Sequence, residues 1–208
     1  MPIKTLKVPY FVQPTAITCQ STCLKMFGKY MESKIGFSSP GPNQTIQQIW
    51  QEINTGIERP VQVRNAYANM RWWLEKYFQP YQFEIFRTDN VDVASRHAVD
   101  KIDGGFPIMV STNHDRTNGH IILVIGYQSS SILASGNVDF ICHDPYGKFD
   151  PQLSSEQYGR RRFEGGSSLE SGGEHGPGQA VIYDYEGIRR IRDDRHSSGR
   201  FFMISARD

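Results

Sequence analysis

Apolar side chains recur at three- and four-residue intervals over the first eighty residues. Beyond residue 81 they alternate with polar ones or bunch into short runs. After an apolar segment at 8–12, the spacing of Cys23, Met26, Phe27 and Tyr30 predicts a helix over 18–31, with Thr18 at its N-cap. SSPGPN at 38–43 reads as a turn-rich loop. Two more helices follow at 45–53 and 65–78, the first with Ile46, Ile49, Trp50 and Ile53 on one face, and Trp72, Trp73 and Phe78 are expected in the core or along a groove wall. Short β-branched or aromatic runs at 81–86, 107–111, 120–127 and 138–142 predict strands, with a helix at 91–102 between the first two and turns at 113–119, 129–136 and 145–148 between the later ones. RFFMIS at 200–205 is expected to be a last strand that closes the sheet. Helices first and an antiparallel sheet afterwards make an α+β layout.

The length of 208 residues suits one domain with its own core, so 1–208 is read as a single unit. The segment 152–179 departs from the pattern: it is rich in glycine and serine, carries Arg160–Arg162, and is expected to be a mobile loop. A second basic run, RRIRDDR at 189–195, contains two aspartates and reads as solvated surface. A formal net charge of +1 gives no electrostatic footprint for nucleic acid, and no apolar run reaches the length of a membrane-spanning helix. The first residues lack the apolar core of a signal peptide. The expected place of synthesis is therefore the cytoplasm, with any action outside the cell reached by lysis or another non-standard route. Three cysteines cannot staple a fold of this size and leave at least one free thiol.

That thiol has a chemical context. In QPTAITC, Gln13 precedes a short loop and Cys19 opens the predicted helix. A helix start lowers the cost of a thiolate and offers a free backbone N–H to an oxyanion, and a nearby glutamine amide can be the second donor. His120 opens an apolar strand directly after a glycine and can serve as the general base; taken alone it could equally be a satisfied edge residue. Asp144 ends the next strand before a Pro–Tyr–Gly turn, where it can orient His120 if the two strands are neighbours, or merely cap the turn. Other assignments are open on the residues alone. Cys19, Cys23, His114 and His120 resemble a zinc quartet, although about ninety residues separate the two pairs. His143 is a rival base, and Cys23 and Cys142 fall on core-facing phases.

The segments VPYFVQPTAITCQSTCLKM, GHIILVIGY and HDPYG, in that order, resemble the papain-like cysteine peptidases of the bacteriocin-processing (double-glycine leader) peptidase-like group. The resemblance covers roughly residues 8–31, 106–128 and 139–148. It implies a papain-like fold with N-terminal helices packed on an antiparallel sheet. It also implies Gln13 as the oxyanion-hole glutamine, Cys19 as nucleophile, His120 as base and Asp144 as the orienting acid. Gln20 and Ser21 stand where that family often has Gly and Pro after the nucleophile.

The expected activity is cysteine-dependent hydrolysis of amide bonds through a thioester, with no metal or organic cofactor. The expected partner is a peptide. Small stand-alone peptidases of this type often look like cell-wall (murein) peptide hydrolases, which makes murein peptides the preferred substrate. Processing members are usually fused to transport domains, absent from this chain, which argues against leader removal during export. A protease of proteins or leader peptides, and an inactive peptide-binding module of the same fold, are the alternatives.

Overall fold

The computed structural model describes residues 3–112, 120–129, 138–147, 178–183 and 201–207. In chain order these form β1 (Lys4–Thr5), α1 (Cys19–Ile35), α2 (Pro40–Asn43), α3 (Ile46–Thr55), α4 (Tyr67–Tyr77), β2 (Phe83–Thr88), α5 (Val91–Asp103), β3 (Ile108–Thr112), β4 (His120–Ser129), β5 (Val138–His143), β6 (Val181–Tyr183) and β7 (Phe201–Ala206). The strands make one antiparallel sheet in the order β2-β7-β3-β4-β5-β6, and β1 pairs with the far end of β4.

Two apolar layers sandwich this sheet. On one face, α1 to α4 bury Leu24, Met26, Phe27, Ile49 and Trp73 against Met109, Leu123, Ile125 and Ile204. On the other, Ala94, Ala98 and Ile102 of α5, spaced one helical turn apart, pack on Val110, Ile122, Val124 and Phe140. The continuous apolar run of β4 follows from this double coverage, since neither face of the strand meets water. Between Val124 and Gly126 the register with β5 slips by one residue. That bulge turns Tyr127 to the α5 face, where strict alternation from Ile125 would have put it on the helical face. Gly126 also lets β1 approach, because a Cβ there would collide with the Lys4 carbonyl.

The helical ends have identifiable causes. Thr45 and Gln48 form a reciprocal capping box at the start of α3. Gly36, in the left-handed region at φ 77°, ends α1 and returns its N–H to the Glu32 carbonyl. Three details differ from the sequence expectation. Pro40–Asn43 is a short helix and not a plain loop, since proline suits a first helical turn. Thr18 occupies the N-cap position without capping, because its hydroxyl donates to the Thr15 carbonyl. The C-terminal strand β7 does not close the sheet at an edge; it lies inside, between β2 and β3. The predicted turns at 113–119 and 130–136, the basic runs at 160–162 and 189–195, and all but the last two residues of 152–179 lie outside the described residues.

Candidate active site

Cys19 is the first residue of α1, so its backbone N–H has no acceptor within the helix. The helix start is held rigidly. The Thr18 carbonyl accepts from the Thr22 N–H at 3.0 Å, the Thr22 hydroxyl at 2.8 Å and the Ser21 hydroxyl at 3.1 Å. Cys19 is 8% exposed, whereas Cys23, one turn further on, is fully enclosed. The Cys23 sulfur donates to the Ile121 carbonyl at 3.4 Å, and burial pushes its thiol well above its ordinary range. Cys142 is buried in the other apolar layer, and burial likewise pushes its thiol up. Cys23 and Cys142 therefore stay protonated at neutral pH.

His120 stands at the first position of β4, paired with Thr112 of β3, and Asp144 follows directly on β5. Because β4 and β5 are neighbours, the two side chains meet: His120 Nε2 lies 2.8 Å from Asp144 Oδ1. Nδ1 is then the ring nitrogen left for the thiol, and Cys19 is within hydrogen-bonding reach of the ring. Burial opposes a charge on His120, yet the Asp144 carboxylate and the Cys19 sulfur outweigh it, and the imidazole is pushed up to about 10. Such a ring is a strong proton acceptor.

Asp144 is itself fixed from several sides. Its Oδ1 accepts the Tyr146 backbone N–H at 2.8 Å, and its Oδ2 accepts the Tyr183 hydroxyl at 2.8 Å. Its own N–H donates to the Gly178 carbonyl at 2.8 Å, and its carbonyl accepts the Tyr10 hydroxyl at 2.9 Å. A Cβ at Gly178 would collide with that same carbonyl, so only glycine lets the 178–183 segment lie this close. Tyr183 and Gly178 are site-building residues that the sequence patterns did not reveal. β6 has only three residues and follows a glycine- and serine-rich stretch, which leaves no periodicity to read.

Gln13 is buried, and its backbone N–H donates to the Pro145 carbonyl at 3.0 Å, tying it to the turn that carries Asp144. Its Nε2 donates to the Thr15 carbonyl at 2.7 Å, which leaves one amide N–H, and its Oε1 has no donor among the described residues. His143 is brought close in sequence but not in role. The Ala180 N–H donates to its Nδ1 at 3.1 Å, which places the ring proton on Nε2, donated to the Val8 carbonyl at 2.9 Å. Both nitrogens are thus occupied, and burial pushes this ring below its ordinary value, so it is a neutral structural histidine. Among the described residues no group of three or more His, Cys, Asp or Glu side chains is arranged to hold a metal ion; His114 lies outside them. No helix among the described residues is long and apolar enough to cross a membrane.

The model of the Peptidase_C39 like family matches residues 5–166 of this chain. No curated protein matches it. Among solved structures, UfSP from C. elegans is similar, with a TM-score of 0.54 at 10% identity over 100% of this chain and 35% of that one. At that identity the likeness is one of fold, the papain-like cysteine protease fold. The chain spans about a third of the length of that structure.

Proposed function

The chain belongs to the Peptidase_C39-like family, and from that premise we propose that it is a cysteine peptidase whose chemistry is carried by Cys19, His120, Asp144 and Gln13. The observation that supports this reading most is the 2.8 Å contact of His120 Nε2 with Asp144 Oδ1, which directs Nδ1 to a thiol at a helix start. In the proposed cycle the Cys19 thiol gives its proton to His120 Nδ1, and the sulfur attacks the carbonyl carbon of a peptide bond. The oxyanion is bound by the Cys19 backbone N–H and by the remaining N–H of Gln13 Nε2. As the C–N bond breaks, His120 returns the proton to the leaving amine, and a thioester on Cys19 remains. His120 then takes a proton from water, the resulting hydroxide opens the thioester, and the proton goes back to the departing sulfur. Asp144 keeps the ring in the tautomer with its proton on Nε2 throughout.

For the substrate we propose peptides of the bacterial cell wall. This rests on the similarity of small peptidases of this type to murein hydrolases. Incubation with purified murein sacculi, and separately with a library of linear peptides, followed by mass spectrometry of the products, tests it. Release of stem-peptide fragments is expected; cleavage of linear peptides alone would replace it with a protease of protein or leader substrates. Cleavage of neither, with tight peptide binding, would indicate an inactive binding module.

A further inference from the structure

A row of side chains crosses the sheet from the nucleophile towards the β2 edge. Arg87 of β2 lies opposite Phe202 of β7, and Val110 of β3 lies opposite Met203. Ser111 therefore stands level with Phe202, one residue before Thr112, which pairs with His120. By strand alternation Arg87, Phe202 and Ser111 share the face of Ile85, Ile204 and Met109, the one that α1 to α4 cover. Tyr67, the first residue of α4, lies over this row. Its ring stacks on Phe202 with centroids 5.1 Å and planes 17° apart, and the Arg87 guanidinium sits 4.9 Å from the same Phe202 centroid. The Tyr67 hydroxyl is within hydrogen-bonding reach of Ser111 and interacts electrostatically with both the Cys19 sulfur and Arg87. Three planar groups thus form a ledge that begins beside the nucleophile and ends in a cation. Arg87 is exposed, and its guanidinium makes no ion pair or hydrogen bond among the described residues. Glu84, the carboxylate of the same strand, faces the α5 side and pairs with Lys101 at 3.1 Å.

We propose that Arg87 is a specificity-determining residue, held by Phe202 to bind a carboxylate of the peptide substrate within about three residues of the scissile bond. The ring against the guanidinium restricts a long side chain and leaves its planar N–H edge for the paired oxygens of a carboxylate. Arg87 is two strand spacings from Ser111, about 10 Å, which an extended peptide covers in about three residues. The site therefore favours acidic peptides over neutral ones of the same shape.

The inference rests on the reading of Cys19 as the nucleophile and holds whether or not the peptide comes from murein. Its test uses two series of tripeptides. One series ends in a chloromethyl ketone and the other begins with a chloroacetyl group, so that the chain extends to either side of the sulfur. Each carries Glu or Gln at one position at a time. The chloroacetyl peptides are made with a free and with an amidated carboxyl end, which separates a side-chain carboxylate from a chain terminus. The readout is the second-order rate of Cys19 alkylation, mapped by mass spectrometry. In the wild type a carboxylate peptide is expected to label Cys19 about ten-fold faster than its neutral counterpart. Arg87→Gln should abolish that preference and leave the rate of the neutral peptide unchanged, and Arg87→Glu should reverse it. Arg96→Gln, on α5 across the sheet, should keep it. Equal rates for charged and neutral peptides in the wild type, a preference that survives Arg87→Gln, or an equal loss for both peptides in that variant would overturn the proposal. A wild type in which no peptide labels Cys19 faster than Cys23 and Cys142 would instead refute the nucleophile assignment itself.

Discussion

Replacing Tyr183 by phenylalanine removes one hydroxyl and nothing else, which makes it a clean measure of how firmly Asp144 must be held. The lost bond is a 2.8 Å O–H donation to Oδ2 of a carboxylate that is 0% exposed. A hydrogen bond to a buried charged group contributes about 1.5–3 kcal/mol. With a urea slope of about 2 kcal/mol per molar, the unfolding midpoint of Tyr183→Phe should fall by about 1 M. The catalytic consequence should be smaller, because the contacts of His120 Nε2 and the Tyr146 N–H with Oδ1 remain. We expect kcat/KM to drop less than about ten-fold, since the loss lies outside the reacting atoms. Urea denaturation and steady-state kinetics on any cleaved peptide read both quantities. Unchanged stability would refute the anchoring role, and a thousand-fold loss of activity at wild-type stability would mean that Tyr183 acts in the chemistry.

Gly178→Ala should abolish cleavage and lower stability, because its Cβ would push the Asp144 carbonyl and meet the Tyr10 hydroxyl at 2.8 Å; activity and thermal unfolding check this. His120, whose folded value is raised from 6.5 to about 10, binds its proton more tightly in the folded than in the unfolded chain. Its contribution to stability is therefore full below about pH 6.5 and is lost as pH rises through about 10. Urea midpoints of the wild type should fall more steeply over that window than those of His120→Gln, and parallel profiles would contradict the ion-pair picture.

Much of the candidate site's placement was legible because each motif coincides with a local structural event. Cys19 opens a helix and His120 opens a strand, and both events leave marks in the apolar pattern. The neighbouring of β4 and β5, assumed for Asp144, follows from their antiparallel pairing, which runs from Leu123↔His143 to Ser129↔Val138. What stayed hidden depends on contacts distant in sequence. Tyr183 reaches Asp144 across 39 residues and Tyr10 reaches it across 134, and neither contact leaves a spacing signal. The ledge from Tyr67 to Arg87 was equally invisible, because it joins three elements far apart in the chain. The position of β7 within the sheet could not be read either, since a C-terminal strand fits an edge or an interior slot equally well by sequence.

The most direct test of the account is covalent labelling with a peptide bearing a thiol-reactive electrophile at its carboxyl end, followed by mass spectrometric mapping. The account predicts one label, on Cys19, that vanishes in Cys19→Ala together with all peptide cleavage and forms far more slowly in His120→Ala. Label on Cys23 or Cys142, or cleavage that persists in Cys19→Ala, would contradict it.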